Sequence, residues 1–307
     1  MLYFIVNEKS RSGKGKQIWK QVEAELQNRG IDYEAHITEY GGHATLLASK
    51  LSRLPDEEIK LIVVGGDGTA NEVVNGIVDF EKVVFGMIPT GSGNDLARGL
   101  GKLGTPIEEL DKILESDGTD RIDLGQVEWK EGEKPRLFLI SAGIGLDAMV
   151  CKKALTSKLK KVLNAIKLGK LTYIILTIRM LFSMKQADVV GRYDRKNHKK
   201  FPKMIFAAAM NFRAEGGGVP MAPKADARDG KLSVCSIGGI PKLVALFLLP
   251  RLVTATHEKV HCVSIVDCDS CEMRLDTPFV LHTDGEYCDD VTEVRFTCLP
   301  GKLRILA

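Results

Sequence analysis

The sequence has little net charge and no apolar run long enough to cross a bilayer. Its 307 residues include 43 Lys and Arg against 40 Asp and Glu, which gives a formal net charge of +3. Proteins that bind nucleic-acid phosphates over a wide face are more basic, so this balance argues against that class. The longest helical apolar run, residues 171–184, contains Arg179 and would rise about 21 Å, whereas the hydrocarbon core is roughly 30 Å thick. We therefore expect neither a nucleic-acid partner nor a transmembrane span.

A secretory leader and a disulfide framework are also missing from the pattern. The first apolar stretch turns polar at Asn7 and has no basic residues before it, unlike a signal peptide. The seven cysteines are an odd number, which favours a reducing compartment. Cys268 and Cys271, with nearby Cys and His, could be arranged as a zinc site. A second paired motif is missing and strand residues alternate faces, so free thiols are favoured and a cytoplasmic protein is expected.

Glycine, in contrast, is abundant: it accounts for 30 of the 307 residues. This share is larger than the usual one of about 7%. In the first third of the chain, short apolar strands alternate with helical spacing. This alternation is typical of a parallel α/β sheet covered on both faces, whose ligands collect at the carboxyl ends of the strands. The predicted strands are residues 2–6, 31–37, 61–64 and 83–88, and the predicted helices are residues 18–28, 44–54, 71–78 and 96–100.

After about residue 122 the predicted strands follow one another without crossover helices, a pattern typical of an antiparallel sheet or sandwich. Two helical stretches, at about 152–184 and 241–257, interrupt them. We predict an ATP-binding α/β domain over residues 1–122 and a β-rich domain over 123–307, whose last strand returns to the first domain. The predicted strands are residues 122–128, 137–141, 189–193, 203–210, 231–236, 260–266, 271–275, 279–283 and 291–298.

The strongest motif is the GGDGT segment at residues 65–69, which follows a buried strand and precedes a helix containing Asn71 and Glu72. Its glycines let backbone N–H groups approach an anion, and the helix N-terminus adds a favourable partial charge. Asp67 alone would repel a phosphate, so it indicates a magnesium ion or a hydroxyl between the two. The alternative is a turn capped by Asp67, but one small cap does not require so many glycines.

Two further segments end strands at the same predicted sheet edge. Residues 10–16, after Asn7, resemble a phosphate-facing loop without the full Walker A spacing, and an exposed basic turn explains them equally well. Residues 89–95, with the sequence PTGSGND, offer a second set of backbone donors, with an ordinary capped turn as the alternative.

Near the C-terminus, the carboxylates of residues 283–286 follow a strand at a sharp turn. In this position a carboxylate could act as a general base that accepts a proton from a hydroxyl. The alternative is an acidic hairpin turn with no catalytic role.

GGDGT followed by Asn71 and Glu72, together with GSGND at residues 91–95, resembles the diacylglycerol kinase catalytic family, in particular its soluble bacterial lipid kinases. The resemblance covers essentially the whole chain. It implies a first domain similar to the phosphofructokinase and NAD kinase fold and a second, mainly antiparallel β-sandwich. It also implies an ATP- and Mg²⁺-dependent kinase that phosphorylates a lipid hydroxyl, with diacylglycerol as the first choice. Sphingoid bases, ceramide and phosphatidylglycerol are left open.

The same resemblance implies which residues contact ATP. The loop after Asn7 is longer than the family's Asn-Pro-x-Ser-Gly form and lacks its proline, so assignments there shift by a residue or two. The implied ATP contacts are Asn7, Ser10, Ser12, Gly13, Lys14, Thr38, Gly65, Gly66, Asp67, Gly68, Thr69, Asn71, Glu72, Ser92, Asn94 and Asp95.

Two C-terminal segments complete what the resemblance implies. Asp284 and Glu286 match the family's DGE motif, in which either acid is a candidate base, and we favour Asp284 with Glu286 as the alternative. In the family, the loop at residues 223–231 holds a structural Mg²⁺. Asp229 matches its carboxylate, and Asp226 and Lys231 match its other positions, although Lys231 could offer only its carbonyl oxygen. Arg228 replaces an acid here, which leaves one anion fewer for the metal; from the residues alone this is a plain Asp-Gly turn.

The lysine-rich stretch 152–184 suits shallow contact with an anionic membrane, and equally a packed helix with a solvated lysine face. We expect a lipid substrate at the membrane surface and a cytoplasmic protein, peripheral at the inner face of the membrane; a homodimer is left open. The alternatives are a kinase of a soluble nucleotide or sugar hydroxyl, and a non-catalytic nucleotide-binding protein. The lysines of the stretch are Lys152, Lys153, Lys158, Lys160, Lys161, Lys167 and Lys170.

Overall fold

A computed structural model describes residues 1–91, 93–156 and 169–306. Ser92 and four of the lysines considered for membrane contact, Lys158, Lys160, Lys161 and Lys167, therefore lie outside the described residues. In the part of the chain that the structure describes, no helix is both long and apolar enough to span a bilayer, as the sequence predicts.

The first part of the chain forms a parallel sheet with the strand order β4-β3-β1-β2. The strands are β1 Leu2–Val6, β2 Tyr33–Ile37, β3 Ile59–Gly65 and β4 Val83–Pro89. The helices are α1 Ser10–Asn28, α2 His43–Leu51, α3 Asp67–Gly76, α4 Asp95–Gly99 and α5 Pro106–Glu115.

Helices cover both faces of this sheet because successive strand residues point to opposite sides. Phe4 of β1 packs in a cluster with Trp19 of α1 and Ile113 of α5. Its neighbour Ile5 packs in a second cluster with residues of α2 and α3, among them Ala48 and Val73. Strands β1, β3 and β4 are therefore buried on both faces, unlike the edge strand β2, and only their ends are free to build a site.

The second part is mainly antiparallel, so the predicted fold class is confirmed. Its strands are β5 Asp120–Glu128, β6 Arg136–Phe138, β7 Ser141–Gly145, β8 Ala187–Tyr193, β9 Asn197–Met204, β10 Phe206–Met210, β11 Leu232–Ile237, β12 Val263–Cys268, β13 Ser270–Thr283 and β14 Glu286–Ile305. Its helices are α6 Leu146–Thr156, α7 Gly169–Ser183, α8 Lys242–Leu246 and α9 Leu249–Val253, followed by a 3₁₀ turn at His257–Lys259.

The last strand joins the two parts into one sheet. Most of β14 pairs antiparallel with β13 and β5, but Arg304 and Ile305 pair in parallel with Val84 and Phe85 of β4. The strand order therefore runs without interruption from β12 through β14 to β2. This arrangement brings the turn between β13 and β14 to the edge of the sheet where β1, β3 and β4 end.

Three sequence-based boundaries differ from the structure for identifiable reasons. Helix α1 begins at Ser10, so the predicted phosphate-facing loop forms its first turns, with Arg11 and Gly13 at φ 46° and 93°. The strand predicted over 137–141 is divided into β6 and β7. The break falls where backbone N–H groups turn toward Asp284 instead of a neighbouring strand. The strands predicted over 271–275 and 279–283 are one strand, β13, which shifts register around Pro278 because proline cannot donate a ladder hydrogen bond.

Candidate active site

Three of the predicted loops meet at the carboxyl ends of neighbouring parallel strands. Asn7, after β1, donates through Nδ2 to Thr69 Oγ1 at 3.0 Å. Ser10 Oγ lies 2.6 Å from Thr90 Oγ1, which follows β4, and the Thr90 N–H donates to the Gly65 carbonyl at 2.8 Å. The ends of β1, β3 and β4 are thus fastened to one another, which is the convergence that the parallel sheet predicts.

The GGDGT and GSGND turns touch backbone to backbone, and this contact requires glycine. A Cβ built on Gly91 would lie 2.9 Å from Gly66 Cα and 2.7 Å from Asn94 Oδ1. A Cβ on Gly66 would lie 3.2 Å from Gly91 Cα. Real Cβ atoms essentially never come as close as the Gly91 position requires, and the Gly66 distance is tighter than most, so these two glycines set the separation of the two turns.

Asp67 bridges the same two turns with its carboxylate. The oxygens accept hydrogen bonds from the Asp95 N–H at 3.1 Å and the Leu96 N–H at 3.2 Å, at the start of α4. Burial raises the pKa of Asp67 to about 6, and the nearby charge of Asp95 adds to the rise against the effect of the N–H bonds. Two neighbouring carboxylates, of which only Asp95 is paired with an arginine, are oxygen ligands of the kind that Mg²⁺ binds.

Asp95 connects the first part of the chain to a glycine loop of the second. It pairs with Arg98, and its other oxygen accepts a hydrogen bond from the Gly217 N–H at 2.7 Å. Asp95 is a buried residue. Residues 216–218 are three consecutive glycines, all with positive φ, so this loop can follow the surface of the GSGND turn.

Asp284 holds the β13–β14 turn against the break between β6 and β7. Its carboxylate accepts hydrogen bonds from the backbone N–H groups of Leu139, Ile140 and Ser141 at 2.8 to 3.0 Å. A fourth bond comes from Asn71 Nδ2 at 2.8 Å. Burial raises the pKa of Asp284, and these bonds act in the opposite direction. Because an ionised carboxylate has about four acceptor positions, all the acceptor capacity of Asp284 is used.

Glu286, the first residue of β14, lies on the open side of the same turn. Its Oε1 is 3.4 Å from the position that a Cβ on Gly68 would occupy, so it faces the GGDGT turn across the two parts of the chain. The two acids of the DGE motif therefore differ in hydrogen bonding: the carboxylate of Asp284 accepts four hydrogen bonds, and that of Glu286 lies next to Gly68.

The remaining predicted ATP contacts lie around this edge in different settings. Thr38 is buried at the end of β2, where its N–H donates to the Val6 carbonyl at 2.8 Å. Lys14 is exposed on α1. Glu72 accepts from the Ala44 N–H at 3.2 Å and so faces α2. Asn71 is turned toward Asp284 and the carbonyl of Leu137, so it links α3 to the second part of the chain.

The loop predicted to hold a structural Mg²⁺ brings carboxylates together. Asp226 accepts from the Arg228 N–H at 3.1 Å and Asp229 from the Lys231 N–H at 2.9 Å. Burial raises the pKa of Asp229, and the charges of Asp226 and Asp123 add to the rise. Arg228 pairs with Asp120 at 2.7 Å, and its charge also interacts with those of Asp226 and Asp123. An oxygen donor set of this kind suits Mg²⁺.

The cysteines and one further cluster complete the polar groups. All seven cysteines are free thiols, as the sequence favours. Among the described residues, the group of acids, His and Cys whose ligand atoms lie within 4.8 Å of one another is Asp147, Glu215 and His282. Sequence reasoning missed Asp147 and Glu215, and it weighed His282 only for zinc. The available signals were the position of His282 two residues before Asp284 and the three glycines that follow Glu215.

Comparisons with known proteins agree with this geometry. Residues 1–127 match the diacylglycerol kinase catalytic domain, and residues 140–307 match the YegS C-terminal NAD kinase β-sandwich-like domain. YtlR of Bacillus subtilis strain 168, a candidate lipid kinase by its name, is 29% identical over 306 residues, which cover 99% of this chain and 98% of YtlR. A protein of the same strain named diacylglycerol kinase is 28% identical over 89% of this chain and 86% of its own.

A solved structure supports the fold. The crystal structure of a candidate diacylglycerol kinase from Bacillus anthracis strain Sterne superposes with a TM-score of 0.76 and 22% identity, over 99% of this chain and 96% of that one. The two domain matches together extend over nearly all of the structure, and the second alone covers more than half of the chain. The chain therefore belongs to the diacylglycerol kinase catalytic-domain family of lipid kinases, in the branch with a YegS-type C-terminal domain.

Proposed function

We propose that the protein transfers the γ-phosphoryl group of ATP to the hydroxyl of a lipid, with Glu286 as the general base. The observation that carries this proposal is the position of Glu286, which faces Gly68 from the other part of the chain. A phosphate held by the N–H groups of the GGDGT turn and a hydroxyl beside Glu286 would be neighbours. In-line phosphoryl transfer depends mainly on such positioning.

The choice of Glu286 over Asp284 follows from the hydrogen bonds. A general base must have a lone pair directed at the proton that it accepts. The four donors around Asp284 occupy its oxygens. We therefore propose that Asp284 fixes the turn and that Glu286 accepts the proton of the attacking hydroxyl, which departs from the sequence-based preference for Asp284.

Asp67 and the 226–231 loop are the proposed positions for Mg²⁺. A bound Mg²⁺ neutralises phosphate charge that would otherwise repel the carboxylates of the site. We propose that Asp67 holds the ion at the phosphates, while Asp226, Asp229 and the Lys231 carbonyl hold a structural ion. Asp67 also fixes α4 through the N–H groups of Asp95 and Leu96, so it keeps the GSGND turn in place.

Diacylglycerol is the first acceptor to test, because relatives 28 to 29% identical to this chain are named diacylglycerol kinases. The assay uses purified full-length protein, ATP labelled at the γ-phosphate, Mg²⁺ and a panel of hydroxylated lipids in mixed micelles. Glu286→Gln should lower kcat by about 10²–10⁴-fold, the usual contribution of a positioned base. Glu293→Gln, on the same strand, is the matched control and should leave kcat unchanged. Phosphorylation of a soluble nucleotide or sugar without micelles would instead indicate a kinase of soluble hydroxyls. ATP binding without phosphorylation of any acceptor would indicate a non-catalytic nucleotide-binding protein.

The place of lipid entry is indicated by a second surface. The apolar tip comprises exposed side chains on α7, α8 and α9 and one between α8 and α9, Phe247, which is 75% exposed. We define it as Phe182, Leu243, Val244, Phe247 and Val253. Lys242 joins these helices through the Phe182 carbonyl at 3.1 Å.

The charge around the apolar tip supports a proposal for the surface that it contacts. The segments 175–187 and 230–257 contain no Asp or Glu, and their basic residues are Arg179, Lys185, Lys231, Lys242 and Arg251. Apolar side chains next to basic ones suit shallow insertion into an anionic bilayer. We therefore propose that the apolar tip docks the kinase on such a membrane.

A further inference from the structure

A cluster of polar side chains lies behind the DGE turn and is not used by the phosphoryl transfer. His282 Nε2 lies 3.1 Å from Asp147 Oδ2, and Ser141 Oγ is hydrogen-bonded to the carboxylate of Glu215. The ligand atoms of Asp147, Glu215 and His282 are all within 4.8 Å of one another. We call these four side chains the acidic cluster. They come from β7, α6, β13 and the glycine loop, so the whole second part of the chain contributes to it.

Gly143 leaves the space that the acidic cluster occupies. A Cβ on this β7 residue would fall on Asp147 Oδ2 and would lie 2.7 Å from His282 Nε2. Gly145, with φ 97°, then ends β7 and starts α6, the helix that carries Asp147 in its first turn. Two glycines of one strand thus bring a carboxylate and an imidazole together below the reacting turn.

The acidic cluster has more acceptors than donors. The Asp147 side chain is only 10% exposed, and its Oδ1 is buried with no hydrogen-bond partner among the described residues. Its other oxygen has His282 as its partner. Glu215 receives the Ser141 hydroxyl, which is one donor for two oxygens. A buried carboxylate oxygen without a donor is destabilising, so such an oxygen marks a place where a ligand can supply the donor.

The hydrogen bonds of His282 disfavour a metal ion at the imidazole of this cluster. His282 Nδ1 accepts from the Gly285 N–H at 3.2 Å, so the neutral ring carries its hydrogen on Nε2 and donates it to Asp147. Burial opposes ionisation of the ring. Even so, the hydrogen bond to Asp147 and the charges of Asp147, Glu215 and Asp284 raise the pKa of His282 to about 9. Nε2 carries a hydrogen in both states, and metal binding would need its lone pair.

The position of the acidic cluster connects it to the acceptor. Ser141 donates its N–H to Asp284 and its hydroxyl to Glu215, so one residue joins the DGE turn and the cluster. Glu215 is two residues from Gly217, which binds Asp95 of the GSGND turn. These contacts link the acidic cluster to the DGE turn and to the GSGND turn, between which the acceptor hydroxyl is proposed to lie.

We propose that the acidic cluster is an acceptor subsite that binds a second hydrogen-bond donor, a hydroxyl or an ammonium group, next to the hydroxyl that is phosphorylated. This inference rests on the proposed lipid kinase function and narrows its substrate class. Diols and amino alcohols with long chains carry such a donor, and diacylglycerol, with its single hydroxyl, does not. The carboxylates repel a phosphate, so anionic acceptors such as phosphatidylglycerol are disfavoured.

The test measures kcat and KM with four micellar acceptors of equal chain length: monoacylglycerol, a long-chain amino alcohol, diacylglycerol and phosphatidylglycerol. For the wild-type protein, kcat/KM for the better of the first two should exceed that for diacylglycerol at least about tenfold, the effect of one hydrogen bond to a charged group. A preference for the amino alcohol identifies an ammonium ligand, and a preference for the monoacylglycerol identifies a hydroxyl.

The variants Glu215→Gln and Asp147→Asn should remove this preference through KM, while kcat/KM for diacylglycerol changes less than about threefold. Activity with phosphatidylglycerol should rise in both. The Tm and ATP binding of each variant show whether it is folded. If one of the two variants does not fold, the other one carries the test. Unchanged ratios in both variants, or an equal loss with all acceptors, overturns the subsite. Absence of lipid phosphorylation by the wild-type protein overturns the proposed function instead.

Discussion

The parallel part of the molecule builds its share of the site from backbone, and the antiparallel part builds its share from side chains. At the ends of β3 and β4, two glycine turns are in contact, and Gly66 and Gly91 set their separation. At the β13–β14 turn, the Asp284 carboxylate accepts four hydrogen bonds, from α3, from the break between β6 and β7, and from β7.

The two parts nevertheless share one device, an enclosed aspartate that positions its neighbours. Asp67 fixes the start of α4, and Asp284 fixes the break between β6 and β7. The difference is that Asp67 also faces the proposed phosphate site. In the β13–β14 turn, the residue that faces the proposed reacting groups is Glu286, two residues after Asp284. Substitutions at equivalent points of the two parts should therefore have different effects.

Asp67→Ala should have the largest effect and abolish turnover. The substitution removes the proposed Mg²⁺ ligand and the two hydrogen bonds that hold the GSGND turn. The measurement is phosphorylation of the best acceptor in the lipid panel. Asp32→Ala, at an exposed position before β2, is the control. Full activity of the Asp67→Ala protein would contradict the proposed function.

Asp284→Asn should lower both activity and stability, unlike Glu286→Gln. An amide in place of the carboxylate directs its own N–H groups at backbone donors, which we expect to lower the free energy of unfolding by about 1–3 kcal/mol. Glu286→Gln should leave stability nearly unchanged and lower only kcat. Urea denaturation together with kcat for both variants tests this difference. A stable, inactive Asp284→Asn protein would instead identify Asp284 as the base.

The pH dependence of stability should reveal Glu215. Burial raises the pKa of this carboxyl from 4.5 to about 7, with the charge of Asp147 adding to the rise. The folded protein therefore keeps a proton that the unfolded chain releases, so the free energy of unfolding falls as pH rises from about 4.5 to 7. Glu215→Gln should remove up to about 3 kcal/mol of this fall. Unfolding curves at pH 5 and 8 measure it, and parallel curves for both proteins would contradict it.

Gly91→Ala should cost about 1–3 kcal/mol because its Cβ has no space between Gly66 and Asn94. The matched control is Gly41→Ala, since a Cβ at Gly41 meets no atom within 4 Å. Thermal denaturation of both variants measures the difference. We also expect Gly91→Ala to raise the KM for ATP, because it separates the two glycine turns. Equal Tm values for the two variants would show that this backbone contact is dispensable.

Phe247→Ser should weaken membrane docking by about tenfold while leaving ATP binding unchanged. Phe247 is the most exposed side chain of the apolar tip. Leu46→Ser, at an exposed apolar position on α2 in the parallel part, is the control. Co-sedimentation with vesicles of phosphatidylglycerol and phosphatidylcholine gives the partition coefficients. Equal partition coefficients for the two variants would show that the apolar tip is not the docking surface.

Much of the parallel part could be predicted from the sequence because its signals are local. Branched apolar runs such as residues 61–64 define buried strands, and glycine turns after them mark the sheet edge. Helix α5 was missed, although its signals are also local: Thr105 and Glu108 form a capping box around Pro106. In α1, the start was placed eight residues late because Arg11 and Gly13 adopt positive φ within its first turns.

In the antiparallel part, the decisive partners are far apart in sequence and no local pattern announces them. Asn71 and Asp284 form a hydrogen bond across 213 positions, and the N–H groups of Leu139 and Ile140 are available only because β6 ends at Phe138. The role of Asp284 therefore could not be separated from that of Glu286 in the DGE motif. Strand β9 was missed because its residues are mostly polar and exposed.

The parallel pairing of Arg304 and Ile305 with β4 determines how the chain can be divided. Without β14, Val84 and Phe85 would lie on an open sheet edge with unpaired N–H and C=O groups, a template for association with other chains. Residues 1–127 expressed alone should therefore aggregate, although they are the residues that match the diacylglycerol kinase catalytic domain. Because β14 pairs with strands of both parts, any change in their relative orientation would have to bend this strand or break its pairing with β4.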